Sequence, residues 1–226
     1  MSKFISIILI TFMVAAVSFT DELSGKTIIT GDAMHVKKAG EVIISKGNSK
    51  VINDTSKIAA DEVSYDKQNS EIFATGNVRL VSKTQKGEPF EAYGNFAKYD
   101  MNVQKGKIWG DYTVTRYYVN NSTTPLVMHA KEVYIDRKTQ TLDAYKEVEV
   151  VTSSGTIYAD NGSFDSTTLG MIFKEDEKRP MADVNYDGRK GLYEADEMIF
   201  YNSEGNKRIV MNGSVVGKIE MENEIK

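Results

Sequence analysis

Residues 57–82 read KIAADEVSYDKQNSEIFATGNVRLVS, and this stretch decides the fold. Its apolar positions fall in pairs two apart: Ile58 and Ala60, Val63 and Tyr65, Ile72 and Ala74, Val78 and Leu80. A period of two is the signature of a strand with one face turned inward. The phase slips by one residue at Asp61-Glu62, which marks a bulge or corner. Lys67-Gln68-Asn69-Ser70 has the composition of a turn. Gly76-Asn77 marks a second bend, where glycine tolerates a kink. The stretch therefore reads as one bent hairpin.

The hairpin repeats. A small residue followed five positions later by an apolar or aromatic one recurs as Gly31/Val36, Ala60/Tyr65, Gly94/Tyr99, Ala130/Ile135, Ala159/Phe164 and Ala195/Phe200. Four of the six pairs are followed at once by Asp: Asp66, Asp100, Asp136 and Asp165. Sixteen residues after the small position stand Gly47, Gly76, Gly110 and Lys146; Gly213 follows after eighteen, and Glu175 holds the place in the weakest unit. Repetition in register is a signal of architecture. Six bent hairpins give about twelve strand crossings, a stack on the order of 50 Å long at the usual strand spacing. Beyond residue 20, no dozen residues keep the helical apolar spacing. The expected class is all-β: two facing sheets around one apolar interior, with an open edge at each end.

Composition narrows the chemistry. The chain has 226 residues, a net charge of −4, no Cys and two His, His35 and His129. This length suits a single core. Without a basic footprint, nucleic acid is not an expected partner. Without Cys there are no disulfides, thiolate metal sites or lipid-modified cysteine. No nucleotide-binding glycine motif and no nucleophile elbow occurs, so neither cofactor nor catalytic residue is expected. The Asp recurring once per unit reads as a turn former rather than an acid–base pair. Asp183-Val184-Asn185-Tyr186-Asp187-Gly188 with Glu194 fits the spacing of a calcium loop,. Its flanks do not read as helices, so a polar loop between strands is the simpler account, and no metal is assigned. Trp109, the only Trp, could line the interior or cap the core.

Residues Phe4 to Phe19 form an uncharged apolar run after Lys3, with Ala16 and Ser18 at the −3 and −1 positions of a cleavage site. This reads as a signal peptide over residues 1–18, or alternatively an uncleaved anchor. The run falls short of the ~20 residues of a membrane span. Residues 19–226 then form a single domain, placed by export in the periplasm.

The words "I-x-A-D-x-x-x-Y-D" and "I-x-A-x-G-N-V" within 57–82 resemble the repeat of the LptA/OstA family of lipopolysaccharide-transport proteins. The resemblance covers roughly residues 28 to 220. It implies an OstA-like β-jellyroll, a V-shaped groove of stacked antiparallel hairpins. It also implies a non-enzymatic role: a periplasmic bridge carrying lipopolysaccharide from inner to outer membrane. Implied partners are the lipid A acyl chains, the inner-membrane and outer-membrane components of the transport machinery, and further copies joined end to end. Two segments, Tyr118–Leu126 and Lys174–Gly191, are longer than the family's short turns.

Acyl chains need a continuous apolar surface, each buried CH₂ contributing roughly 0.8 kcal/mol. The inward positions of the first units that could supply it are Ile43, Ile58, Val63, Tyr65, Ile72, Val78 and Leu80. Later units add Val133, Ile135, Leu142, Val148, Phe164, Met171 and Phe173. Phe73 and Thr141 read as outward. The same inward residues would equally pack against one another as an ordinary sandwich core. Three other functions stay open: the inner-membrane-anchored relative of the same transport complex, a polymerising β-scaffold without lipid cargo, and a polysaccharide-acting enzyme on a β-helix. The enzyme would need a carboxylate cluster on one face, which the repeats lack.

Overall fold

The computed structural model describes residues 26–219 except 54–55, 85, 119–122, 153–154, 187–188 and 204–205. The apolar run at Phe4–Phe19, and with it the signal-peptide reading, lies outside them. Among the described residues there are sixteen strands, β1 to β16, one 3₁₀ turn at Lys38–Gly40 and no α-helix. Eight long strands are unbroken: β3 (Val42–Ile52), β4 (Ser56–Asp66), β5 (Glu71–Lys83), β6 (Pro89–Asp100), β7 (Lys105–Tyr117), β8 (Leu126–Asp136), β9 (Thr141–Thr152) and β10 (Gly155–Asp165). The remaining eight act as two-part versions of the same element. They are β1 (Ile28–Thr30) with β2 (Ala33–Lys37), β11 (Gly170–Lys174) with β12 (Met181–Tyr186), β13 (Arg189–Glu194) with β14 (Glu197–Ser203), and β15 (Asn206–Asn212) with β16 (Val216–Ile219). The result is twelve bent strands, each hydrogen-bonded antiparallel to its neighbours in sequence.

The corner is written into the register. Pairing of β4 with β5 breaks between Ala59 and Glu62, and pairing of β5 with β6 between Thr75 and Val78. The same break recurs through the stack, as far as β9 and β10 at Ala159/Asn161. On one side of the corners lies a first layer, running from β2 through Glu71–Thr75 of β5 and Asn161–Asp165 of β10 to β14 and β15. On the other lies a second layer, running from β1 through Val78–Lys83 of β5 and Gly155–Ala159 of β10 to β12, β13 and β16. Gly76 (φ +75°) and Asn77 (φ +47°) turn β5 through the corner. Successive left-handed residues are affordable there because glycine has no Cβ and asparagine tolerates the region.

The Asp that ends four of the units caps the first layer's turns. Asp66 accepts from the Gln68 and Asn69 amides, Asp100 from Asn102 and Val103, Asp136 from Lys138 and Thr139, and Asp165 from Thr167. The turn-former reading of these carboxylates holds. In the fifth unit Glu175–Pro180 replaces the corner and splits that strand into β11 and β12, which is why the repeat is weakest there. The segment with calcium-loop spacing folds as the β12–β13 hairpin, with Asp183 opposite Leu192 and Asn185 opposite Lys190. Residues 187–188 of that hairpin are outside the description.

Candidate functional site: an apolar groove and its mouth

The inward faces of the two layers meet in one core. Of the residues expected to line it, Ile58, Val63, Ile72, Val78, Val133, Leu142, Val148, Phe164, Met171 and Phe173 are buried. Tyr65, Leu80 and Ile135 are partly buried and packed against that core, and Ile43 is half-buried near one end. Residues missed in the sequence complete it: Val51, Ala92, Ile108, Tyr117, Met128, Val150, Ile157 and Met198 are equally buried. They share the two-residue period, so the signal was present. Phe173 also packs over Gly162, where an added Cβ would strike its ring.

The layers are joined at the corners and meet again at the mouth, where their free ends approach. Cross-layer contacts connect strands several places apart. The Tyr117 ring of β7 meets the Phe164 ring of β10 edge-on at 5.0 Å. Arg137, in the turn after β8, donates to the Ser56 hydroxyl at 3.3 Å. Lys86, between β5 and β6, donates to the Thr167 carbonyl at 3.2 Å. Each lip thus sends one cation across to an oxygen of the other. Just inside, the Tyr117 hydroxyl donates to the Glu88 carboxylate; burial, and then this bond, pushes the phenol up.

Between the lips lies a cavity of about 90 Å³, with Ile58, Ile72, Leu80, Phe90, Ile108 and Leu142 among its walls. Thr141, expected outward, is half-buried at the strand end, where it borders both this cavity and the outer face. Buried side chains from both layers surround the cavity. The closed interior is therefore filled by its own side chains, as a sandwich core is, with a small apolar space open at the mouth.

Among the described residues, both ends of the stack keep a free edge. Among the described residues β1 and β2 pair only with β3, β15 pairs only with β14, and β16 only with β13. Val36 on β2 and Ile219 on β16 are each 60% exposed. Unpaired edges with apolar side chains invite strand addition.

No group of three or more His, Asp or Glu stands close enough to hold a metal among the described residues. His129 stacks on Tyr112 at 4.7 Å on the outside of the second layer. Burial, then Arg116, holds its imidazole below the ordinary value against the pull of Glu149. Trp109 neither lines the groove nor caps the core. It faces outward from β7, stacked on Phe96 at 5.6 Å.

Comparison with known proteins adds the class. The family profile described as LptA/(LptD N-terminal domain) LPS transport protein matches residues 28–141. Among solved structures, the chain is similar to LptH, described as the LptA homologous periplasmic component of the conserved lipopolysaccharide transport device from Pseudomonas aeruginosa. That similarity spans 67% of this chain and 84% of the other, at 8% identity and a TM-score of 0.36. No curated protein matches by sequence.

Proposed function

The chain belongs to the LptA/(LptD N-terminal domain) family of LPS transport proteins, and from that premise we propose that it is a non-enzymatic bridge that carries lipopolysaccharide across the periplasm. Residues 1–18 are its export signal. The acyl chains of lipid A take the apolar interior while the sugars stay in water outside the mouth. The observation that carries this reading is the continuous apolar core along twelve bent strands, bridged on its open side by contacts such as Arg137–Ser56 and Lys86–Thr167. Weak polar contacts between solvated lips contribute little. The interior is packed by its own buried side chains, so the lips part as cargo enters. Each CH₂ then transferred from water returns roughly 0.8 kcal/mol. The free edges at β1/β2 and β15/β16 dock inner-membrane and outer-membrane components, and further copies, by strand addition. Nothing in the groove supplies energy, so direction comes from a partner.

A photoreactive residue placed at Ile72 or Leu142, inside the groove, and at Val151 or Tyr158, on the outer face of the second layer, tests the reading in cells. Lipopolysaccharide adducts at the inner pair alone are expected. The filled interior favours one second reading, a β-scaffold that polymerises through its ends without cargo. Protein adducts at the ends with no lipid adduct at any position would establish it instead.

A further inference from the structure

The outer face of the first layer carries an aromatic tile that the groove does not use. Phe73 on β5 and Phe96 on β6 flank Trp109 on β7, with ring centroids 6.1 and 5.6 Å away. Tyr134 on β8 and Tyr145 on β9 continue it, 5.6 Å apart and nearly perpendicular. Phe73 is 42% exposed and Tyr145 44% exposed. The two ring groups, one on β5–β7 and one on β8–β9, are bridged by Lys107 and together form a patch rather than scattered surface residues,.

Charges are set between the rings, and they are paired. Lys107 Nζ lies 5.3 Å from the Trp109 ring centre and 4.8 Å from that of Tyr134. It donates to Glu132 at 2.7 Å, and Lys146 donates to the other oxygen of Glu132 at 2.5 Å. Asp143 accepts from the Ser163 hydroxyl at 2.7 Å. Beside Tyr134 and Tyr145 the surface sinks into an open depression of about 540 Å³, edged by Lys105, Glu132, Asp143 and Lys146. Its size and its mix of ring faces with convergent polar groups are those of a small-ligand site.

The pairing selects the occupant. An apolar partner would strip water from the Lys107–Glu132–Lys146 group at a desolvation cost. A charged partner would have to displace an existing pair. A neutral polyhydroxylated ligand does neither: its C–H faces lie on the rings, and its hydroxyls bond to carboxylates and ammonium groups already in place. We propose that the tile centred on Trp109, Tyr134 and Tyr145 is a binding site for a neutral pyranose glycan, separate from the acyl-chain groove. The glycan could come from a cell-wall strand or from the sugar part of a glycolipid.

Trp109 is the only Trp in the chain, so its fluorescence reports this site without a label. The full chain is titrated with chitotetraose, standing for a wall glycan, and separately with a neutral hexose oligosaccharide, maltotetraose, standing for the outer sugars of a glycolipid. A saturable change in emission with either sugar is expected, and whichever responds identifies the source. Tyr145→Ala should weaken it by roughly tenfold with an unchanged melting temperature. Tyr158→Ala, on the outside of the second layer, should leave it unaltered. No saturable change with either sugar up to about 10 mM, weaker than specific sites bind, overturns the proposal. So does a change that persists in Tyr145→Ala. An emission change that follows protein concentration without sugar makes a second copy the occupant and overturns it as well.

Discussion

Asp61 accepts a hydrogen bond of 2.9 Å from the Asn77 side-chain amide, sixteen residues later and one strand over. The same clamp recurs along the spine of the stack. Asp32 accepts from Asn48 at 2.9 Å, Asn95 from the Asp111 backbone amide at 3.1 Å, and Asp196 from the Ser214 amide at 2.8 Å. In the fourth unit the polarity reverses: Lys131 stands in the Asp position and pairs with Glu147 at 3.3 Å. In each of these units the corner of the second strand is thus tied to the corner of the first. A Cβ at Gly76 would run into the Asp61 carboxylate, so glycine is needed there for space as well as for its φ of +75°.

Removing one clamp has a graded effect. Asp61→Ala should destabilise the fold by about 1 kcal/mol, the worth of an exposed hydrogen bond. Gly76→Ala should cost more, about 1–3 kcal/mol, because the left-handed strain adds to the clash. Combining the two should recover part of the clash, so the double variant is less damaged than the sum. Urea denaturation of the four proteins measures this, and strict additivity would contradict the clamp.

Much of this was legible beforehand. The words around Ala60-Asp61 and Gly76-Asn77 marked the unit, its two bends and the count of twelve crossings. Their contact was not legible, because a register sixteen residues long emerges only once the corner shifts the pairing. The expected inward positions from Ile58 to Phe173 are buried in or packed against the core, since alternation leaves a strand residue only two faces, whereas Ile43 near one end is only half-buried. Thr141 borders both faces because it sits at the strand end, where alternation gives way to the lip. Trp109 was undecided because its neighbours Ile108 and Gly110 set no clear phase. The mouth contacts Arg137–Ser56 and Lys86–Thr167 join residues eighty-one apart. No local pattern encodes such pairs, which follow from how the layers cross.

The core should respond as a packed interior. Phe173 is 1% exposed, and Phe173→Ala should cost about 3–5 kcal/mol. Thermal or urea unfolding checks this. A loss under about 1 kcal/mol would mean that the β10–β11 region is not packed against the rest.

The lips should be dispensable for stability and limiting for uptake. Arg137→Gln and Lys86→Gln should each change stability by only about 0–1 kcal/mol, as solvated polar contacts do. The double variant should take up lipopolysaccharide faster in stopped-flow binding. Uptake equal to that of the unaltered protein would show that the lips do not restrain entry.

Acid should weaken the outer tile. Hydrogen bonds from Lys107 and Lys146 hold the Glu132 carboxyl down at about 2 from an ordinary 4.5. A carboxylate with a lowered value contributes stability above the unfolded value and loses it as pH falls toward the folded one. The melting temperature should therefore drop more steeply between pH 4.5 and 2 in the unaltered protein than in Glu132→Gln. Parallel curves would remove Glu132 from the pH response.

The central claim is that the groove opens at its mouth to take acyl chains. The chain has no Cys, so spin labels placed at Lys57→Cys and Lys138→Cys, beside the Ser56–Arg137 contact, report the width of the mouth alone. Pulsed electron-spin distance measurement without and with lipopolysaccharide should give a short separation that lengthens on binding and returns when the lipid is removed. A separation that stays unchanged while lipid is bound would contradict the account, because the closed interior has no room for cargo.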